Sequence, residues 1–156
     1  MRVQIIAVGR VKRGAEKPLI DDYLARFGKT GRQLGLGPAQ CLEVEDRKGG
    51  GMAAEAALLS ARIPDTAVIV ALDERGRSLT SPEFADRLAG WRDEGRHDCA
   101  VLVGGADGLD PSLRASADLQ LSLGRMVWPH MLARVMLAEQ LYRAATILAG
   151  SPYHRV

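Results

Sequence analysis

The sequence predicts an α/β fold: one domain built on a doubly wound, mostly parallel sheet. Three observations predict it. Short apolar runs of strand length alternate with helical patterns along the whole chain, the order that strand–helix–strand crossovers produce. The clearest run, "TAVIVAL" at 66–72, is β-branched and bounded by turn-forming residues on both sides. The 156 residues show neither an internal repeat nor a low-complexity linker, and that length suits one domain.

The elements follow in order. "RVQIIAV" (2–8) reads as a first buried strand, followed by a helical stretch around 16–28. "AQCLEV" (39–44) reads as a second strand; a break at Gly49–Gly51 then leads into an Ala/Leu helix through Arg62. Strand 66–72 lies between Pro64–Asp65 and "DERGRS". The helix over 81–95 carries its own signals: Ser81 as N-cap, Pro82 at the first position, Glu83 in the first turn and Gly95 beyond the end. "DCAVLVGG" (98–105) is a further strand, Pro111 to about Ala115 a short helix, and "DLQLSL" (118–123) the last strand. A final helix opens at Pro129 and runs to about Ala149, where Gly150 and Pro152 stop it.

Composition bounds the functional classes. Apolar residues make up 47% and charged residues 26%, as in ordinary globular proteins. No signal-peptide pattern and no membrane-length apolar run is present, which predicts a soluble, cytoplasmic protein. Cys41 and Cys99 lie far apart in no motif and read as reduced core thiols. No metal site is expected, because His97, His130 and His154 have no ligand-like spacing. Arg supplies 17 of the 21 basic groups. That bias has two readings, a phosphate-bearing partner matched by guanidinium forks or simple codon preference in a GC-rich genome.

In doubly wound sheets ligands bind outside the carboxyl ends of the strands. Three stretches lie there: "ALDERG", "VGGADGLD" and "LSLGRMVWPH". Gly104 and Gly105 would let a ligand approach the backbone, although neither the dinucleotide fingerprint nor a Walker loop is present. Met126, Val127 and Trp128 stand where a connection should be polar. Such a loop is either packed beneath another element or wrapped around an apolar ligand face.

The last helix has two apolar sides, one with Leu137, Leu141 and Leu148, the other with Leu132, Val135 and Met136. A helix apolar nearly all round needs more cover than one sheet provides, which predicts a homodimer. His130 and Arg134 are one turn apart on one edge, and Glu139 and Arg143 on another. The second pair reads as an ion pair satisfying itself. The chain closes on "SPYHRV", a phenol, an imidazole and a guanidinium where domains commonly fray.

These segments resemble the ribosomal RNA large subunit methyltransferase H family of the SPOUT superfamily. The resemblance rests on "VGGADGLD", "PH-x-L-x-R-V-x-x-x-E-Q-x-Y-R-A" and "PYHR", with "MRVQIIAVGR", "YLARF" at 23–27 and "LDERGRSLTSPEFA" in the first half. It spans essentially the whole chain and is weak only over 29–38. It implies a carboxyl-terminal trefoil knot, a homodimer with each active site at the subunit interface, and S-adenosyl-L-methionine as methyl donor. The implied substrate is N3 of a pseudouridine in 23S rRNA of the assembled ribosome. Matched by position, Leu72, Gly104, Leu123, Gly124, Arg125, Met126, Val127 and Trp128 would hold the cofactor. The tail residues Tyr153, His154 and Arg155 would complete the partner's pocket. His130 or His154 would help remove the N3 proton, Arg134 and Arg155 would hold phosphate or uracil oxygens, and Tyr153 would stack on a base. One departure is Val156, where members of the family often end in an acidic residue.

Three other readings share the fold. A SPOUT methyltransferase acting on tRNA would differ only in substrate. A non-catalytic ribosome-binding module would have no need of both "GGADG" and "PYHR". A flavodoxin-like enzyme acting on a small molecule would leave the tail and the doubly apolar helix without a purpose.

Overall fold

The computed structural model describes residues 1–11 and 14–155. Val156, the departure noted above, lies outside the described residues. Five parallel strands form one sheet: β1 (Arg2–Val8), β2 (Ala39–Val44), β3 (Val68–Ser78), β4 (Asp98–Val103) and β5 (Leu119–Ser122), in the order β2-β1-β4-β3-β5. Four helices connect them, α1 (Glu16–Gly31), α2 (Gly51–Ser60), α3 (Ser81–Asp93) and α4 (Pro111–Ala115), and α5 (His130–Leu148) follows the last strand. A 3-10 turn at Arg32–Leu34 follows α1.

The period-two geometry of a strand sorts alternate residues to opposite faces. On one face Val3, Ile5 and Ala7 of β1 pack with Ile20, Leu24 and Phe27 of α1, Phe84 and Leu88 of α3, and Leu137 and Leu141 of α5. On the other, Ile6 and Val8 meet Leu59 of α2 and Leu113 of α4. The sheet is therefore covered by three helices on one side and two on the other, as a doubly wound fold requires. Every residue of β4, at the sheet's centre, is buried.

The structure corrects two local expectations. The N-cap of α3 is Thr80, not Ser81: its hydroxyl accepts from the Glu83 amide while the Glu83 carboxylate accepts from the Thr80 amide, a complete capping box. Ser81 donates instead to Gln140 Oε1 of α5 at 2.7 Å. Strand β3 does not stop at Leu72. Both Leu72 and Arg77 pair with Leu121, so residues 73–76 bulge out and the strand resumes to Ser78. Gly76 permits this, because a Cβ there would lie 2.7 Å from the Gln120 carbonyl.

The two sides of α5 fare differently. Leu137 and Leu141 are sealed, whereas Leu132 is 42% exposed and Val135 and Met136 are half-buried. Cys99 is buried and Cys41 half-buried, both as free thiols, and burial pushes their pKa values up to about 12 and about 11. No helix among the described residues is long and apolar enough to cross a membrane.

Candidate functional site

From β5, at the sheet's edge, residues 123–129 carry the chain back across the carboxyl ends of β3 and β4 to the end of β1. There α5 begins. Its Arg134 is wholly buried, donating to the Val8 carbonyl and lying 3.4 Å from Glu43 Oε1 of β2. His130, one turn earlier, stands over Gly9: a Cβ at Gly9 would lie 3.9 Å from His130 Nε2.

This crossing encloses a cavity of about 250 Å³ over the strand ends. Leu72 and Gly104 line it from β3 and the loop after β4; Leu123, Gly124, Met126, Val127 and Trp128 line it from the crossing segment. His130 and Ala133 close it from α5. Arg125 is exposed and does not line it. Met126 and Val127 are 73% and 81% exposed, so the apolar loop is not packed beneath another element in the isolated chain.

The Gly-rich loop has a different physical reason from the one its sequence suggests. A Cβ on Gly104 would sit 2.4 Å from the backbone of Gly108. Gly104 lacks a side chain because its own loop folds back against it, held by an antiparallel bridge between Gly105 and Gly108.

Several lining groups were not singled out from the sequence, although Asp73, Glu74 and Arg75 lie within "ALDERG". Asp73 is buried, and its carboxylate accepts from the Arg75 amide at 2.9 Å, the Arg75 guanidinium at 3.1 Å and Arg114 Nη1 at 3.0 Å. Burial alone would raise its pKa, but these donors prevail and lower it to about 2. The signal was a run of four charged or small residues directly after a buried strand. Glu55 of α2 reaches Gly105 from the opposite wall, its pKa raised first by burial and then by Asp107 and Asp46. Burial, reinforced by the Arg134 charge, lowers the pKa of His130, so its imidazole is neutral at pH 7.

Arg134, expected as a ligand for phosphate or uracil oxygens, presents no surface to either. It ties the start of α5 to the ends of β1 and β2 instead. Among the described residues no group of three or more His, Cys, Asp or Glu side chains could hold a metal ion.

The tail folds back onto α5, away from this cavity. The Tyr153 hydroxyl donates to Glu139 Oε1 at 3.1 Å, and its ring packs on Tyr142 with centroids 4.7 Å apart. Arg143 grips the same Glu139 oxygen through two nitrogens, at 2.9 and 2.6 Å. Its third nitrogen lies 3.4 Å from His154 Nδ1, a contact that suits an unprotonated Nδ1 because a guanidinium only donates. Burial, with the Glu139 carboxylate adding to it, pushes the Tyr153 phenol up to about 12. Arg155 is exposed. A groove of about 540 Å³ runs between Tyr23, Leu79 and Phe84 on one side and Val135, Met136 and Glu139 on the other. It shares Leu123 and Gly124 with the strand-end cavity.

A parallel doubly wound sheet whose strand ends are roofed by a returning apolar loop defines a ligand-binding α/β protein, with the site at the carboxyl edge. A family model described as "Predicted SPOUT methyltransferase" matches residues 1–154. The chain is 70% identical over 156 residues to a Ruegeria pomeroyi protein named ribosomal RNA large subunit methyltransferase H, with 100% of each chain covered. A protein of the same name from Dinoroseobacter shibae is 69% identical, again over 100% of both. This chain belongs to the ribosomal RNA large subunit methyltransferase H family of SPOUT methyltransferases. Solved structures agree on the fold. A probable methyltransferase from Bordetella pertussis superposes with a TM-score of 0.53 at 18% identity, covering 92% of this chain and 96% of that one. A probable methylase family protein from Haemophilus influenzae gives 0.53 at 11%, covering 99% and 70%.

Proposed function

We propose that this chain methylates N3 of a pseudouridine in 23S rRNA of the assembled ribosome, with S-adenosyl-L-methionine as donor. The observation that carries the reading is the strand-end cavity, in which the apolar loop and His130 converge. Its lining suits that donor: Leu72, Met126, Val127 and Trp128 offer apolar surface to a purine, while Glu74 and Asp107 offer negative charge toward a cation. The donor supplies an electrophilic methyl group on a sulfonium.

The chain's own residues would do the rest. N3 of the base must lose its proton as the new bond forms. His130 is neutral, lines the cavity and can accept that proton. Arg134 positions His130 by pinning the first turn of α5 to Val8, a role distinct from contacting substrate. Covered by a second copy, the roof of Met126 to Trp128 would exclude water from the reacting groups. Asp73 and Arg114 brace the wall beneath it.

The reading includes a homodimer. Leu132, Val135 and Met136 are left incompletely covered on α5, beside the exposed Met126 and Val127, and a second copy would bury them. In that dimer Tyr153, His154 and Arg155 reach the partner's cavity, with Tyr153 and His154 oriented by Glu139 and Arg143 and with Arg155 toward phosphate or uracil oxygens. The trefoil knot belongs to the same reading, supported by a chain that returns from the edge strand to β1.

The test is methyl transfer from labelled S-adenosyl-L-methionine to intact ribosomes, free large subunits and bulk tRNA, all from cells lacking this gene. Label in 23S rRNA of intact ribosomes alone is expected. Label in tRNA would overturn the substrate. Ribosome binding without label anywhere would select a non-catalytic module.

A further inference from the structure

The bulge at 73–76 separates two concavities. On one side is the strand-end cavity; on the other a cleft of about 370 Å³ opens between the resumed half of β3, the start of β5 and α3. Arg75, Arg77 and Arg87 line the cleft, with Gln120, Asp118 and the half-buried Trp91, which also packs on the core. The Arg75 guanidinium is paired with Asp73, which leaves Arg77 and Arg87 as the cations of the cleft and Asp118 as its carboxylate. That carboxylate is already engaged, since Asp118 accepts from the Ile69 amide at 2.8 Å. Arg77 and Arg87 are exposed and, among the described residues, form no ion pair, unlike Arg2, Arg10, Arg26, Arg92 and Arg143. Glu83, which feels the Arg77 charge, has its carboxylate committed to the Thr80 cap.

We infer that this cleft binds the RNA backbone next to the target nucleotide, Arg77 and Arg87 gripping a phosphate and Trp91 offering a face to a neighbouring base. The inference rests on the reading that the substrate is ribosomal RNA. Guanidinium forks match phosphate oxygens, and an aromatic ring beside a cationic groove is the arrangement that single-stranded segments use. A polymer is favoured over a small phosphate compound because Arg75 lines both concavities. A strand with one phosphate in the cleft thus has its adjoining nucleotide at the mouth of the cavity. The bulge sets the spacing between the two.

The experiment compares wild-type protein with the double variant Arg77→Gln/Arg87→Gln and its Lys counterpart, using ribosomes from cells lacking this gene. Both sites are exposed, so thermal unfolding and S-adenosyl-L-methionine affinity should match wild type. Expected for the Gln pair is a KM for ribosomes raised at least tenfold with kcat little changed. The salt dependence of binding should become shallower by about 1 in log–log slope for each phosphate no longer neutralised. The Lys pair should recover part of the affinity. Wild-type kinetics in the Gln pair would overturn the inference. So would weakened binding with an unchanged salt slope, which would assign the cleft to a protein surface. If wild-type protein fails to methylate ribosomes, the proposed function fails on its own. Ribosome sedimentation with the Gln pair then decides the cleft separately, weaker binding supporting it and equal binding overturning it.

Discussion

His130 and Asp73 show how environment, more than residue type, assigns a role. His130 sits in the cavity wall with its pKa lowered by burial and by Arg134. A group depressed in this way stays unprotonated to lower pH than a free imidazole. The acid limb of kcat should therefore lie below the ordinary value of 6.5, and His130→Ala should lower kcat by about 100-fold or more while donor affinity changes little. A pH–rate profile of the two proteins checks both points; full activity in the variant would remove His130 from the chemistry. Asp73 works in the opposite sense. Its folded pKa of about 2 lies below the ordinary 3.8, so its contribution is fully present above about pH 4 and lost as the pH falls through 2. Allowing for screening by the exposed Arg75, that contribution is on the order of 1–2 kcal/mol. Asp73→Asn should lose it at pH 7 and show a flatter stability profile between pH 4 and 2, read by urea unfolding. The sequence made His130 visible through the "PH-x-L-x-R-V" element of the family resemblance, as one of two candidates with His154. The role of Asp73 was hidden, because "LDERG" reads as an ordinary polar exit from a strand until Arg114 is brought onto it from 41 positions away.

At the scale of elements, strands and helices were legible from their periods and their ends were not. The alternation of buried residues in β1 between two cores follows directly from "RVQIIAV". The bulge after Leu72 could not be read, since nothing local distinguishes a strand that pauses for four residues from one that stops. The neighbouring strand decides it, through Gly76 and the Gln120 backbone. The cap of α3 shifted by one residue because Thr80 and Ser81 are chemically equivalent caps, and Gln140 of α5 draws Ser81 away. The glycine loop supplies a prediction at this scale. Gly104→Ala would place a methyl group 2.4 Å from the backbone of Gly108, so the loop must open. Donor affinity, measured by titration calorimetry, should fall at least tenfold. Gly49→Ala, where a Cβ meets nothing within 4 Å, should leave it near wild type despite some backbone strain.

For the whole molecule, the decisive relation is between the two ends of α5. Its first turn holds His130 at the cavity, while Glu139 and Arg143 hold Tyr153 and His154 close to the carboxyl terminus. If each tail serves the partner's cavity, two defective proteins should complement. Mixing a variant truncated after Pro152 with His130→Ala, each inactive alone, should form heterodimers with one intact site of two. Activity should return to roughly a quarter of wild type for random exchange. No recovery after verified subunit exchange would assign tail and cavity to the same chain.

The sequence by itself determined the α/β class, the order of the elements, the three strand-end stretches and, through its motifs, the family. Those are consequences of local period, turn chemistry and short residue patterns, all of which act within a few tens of residues. Only the tertiary structure decided that Arg134 is a buried strut, that Gly104 answers to Gly108, that Asp73 is bound by Arg114, and that a cationic cleft adjoins the cavity across a bulge. All but the Gly104–Gly108 contact, which is made within one loop, depend on groups far apart in the sequence. A sequence specifies such contacts through the summed packing of every element, and no single segment carries them.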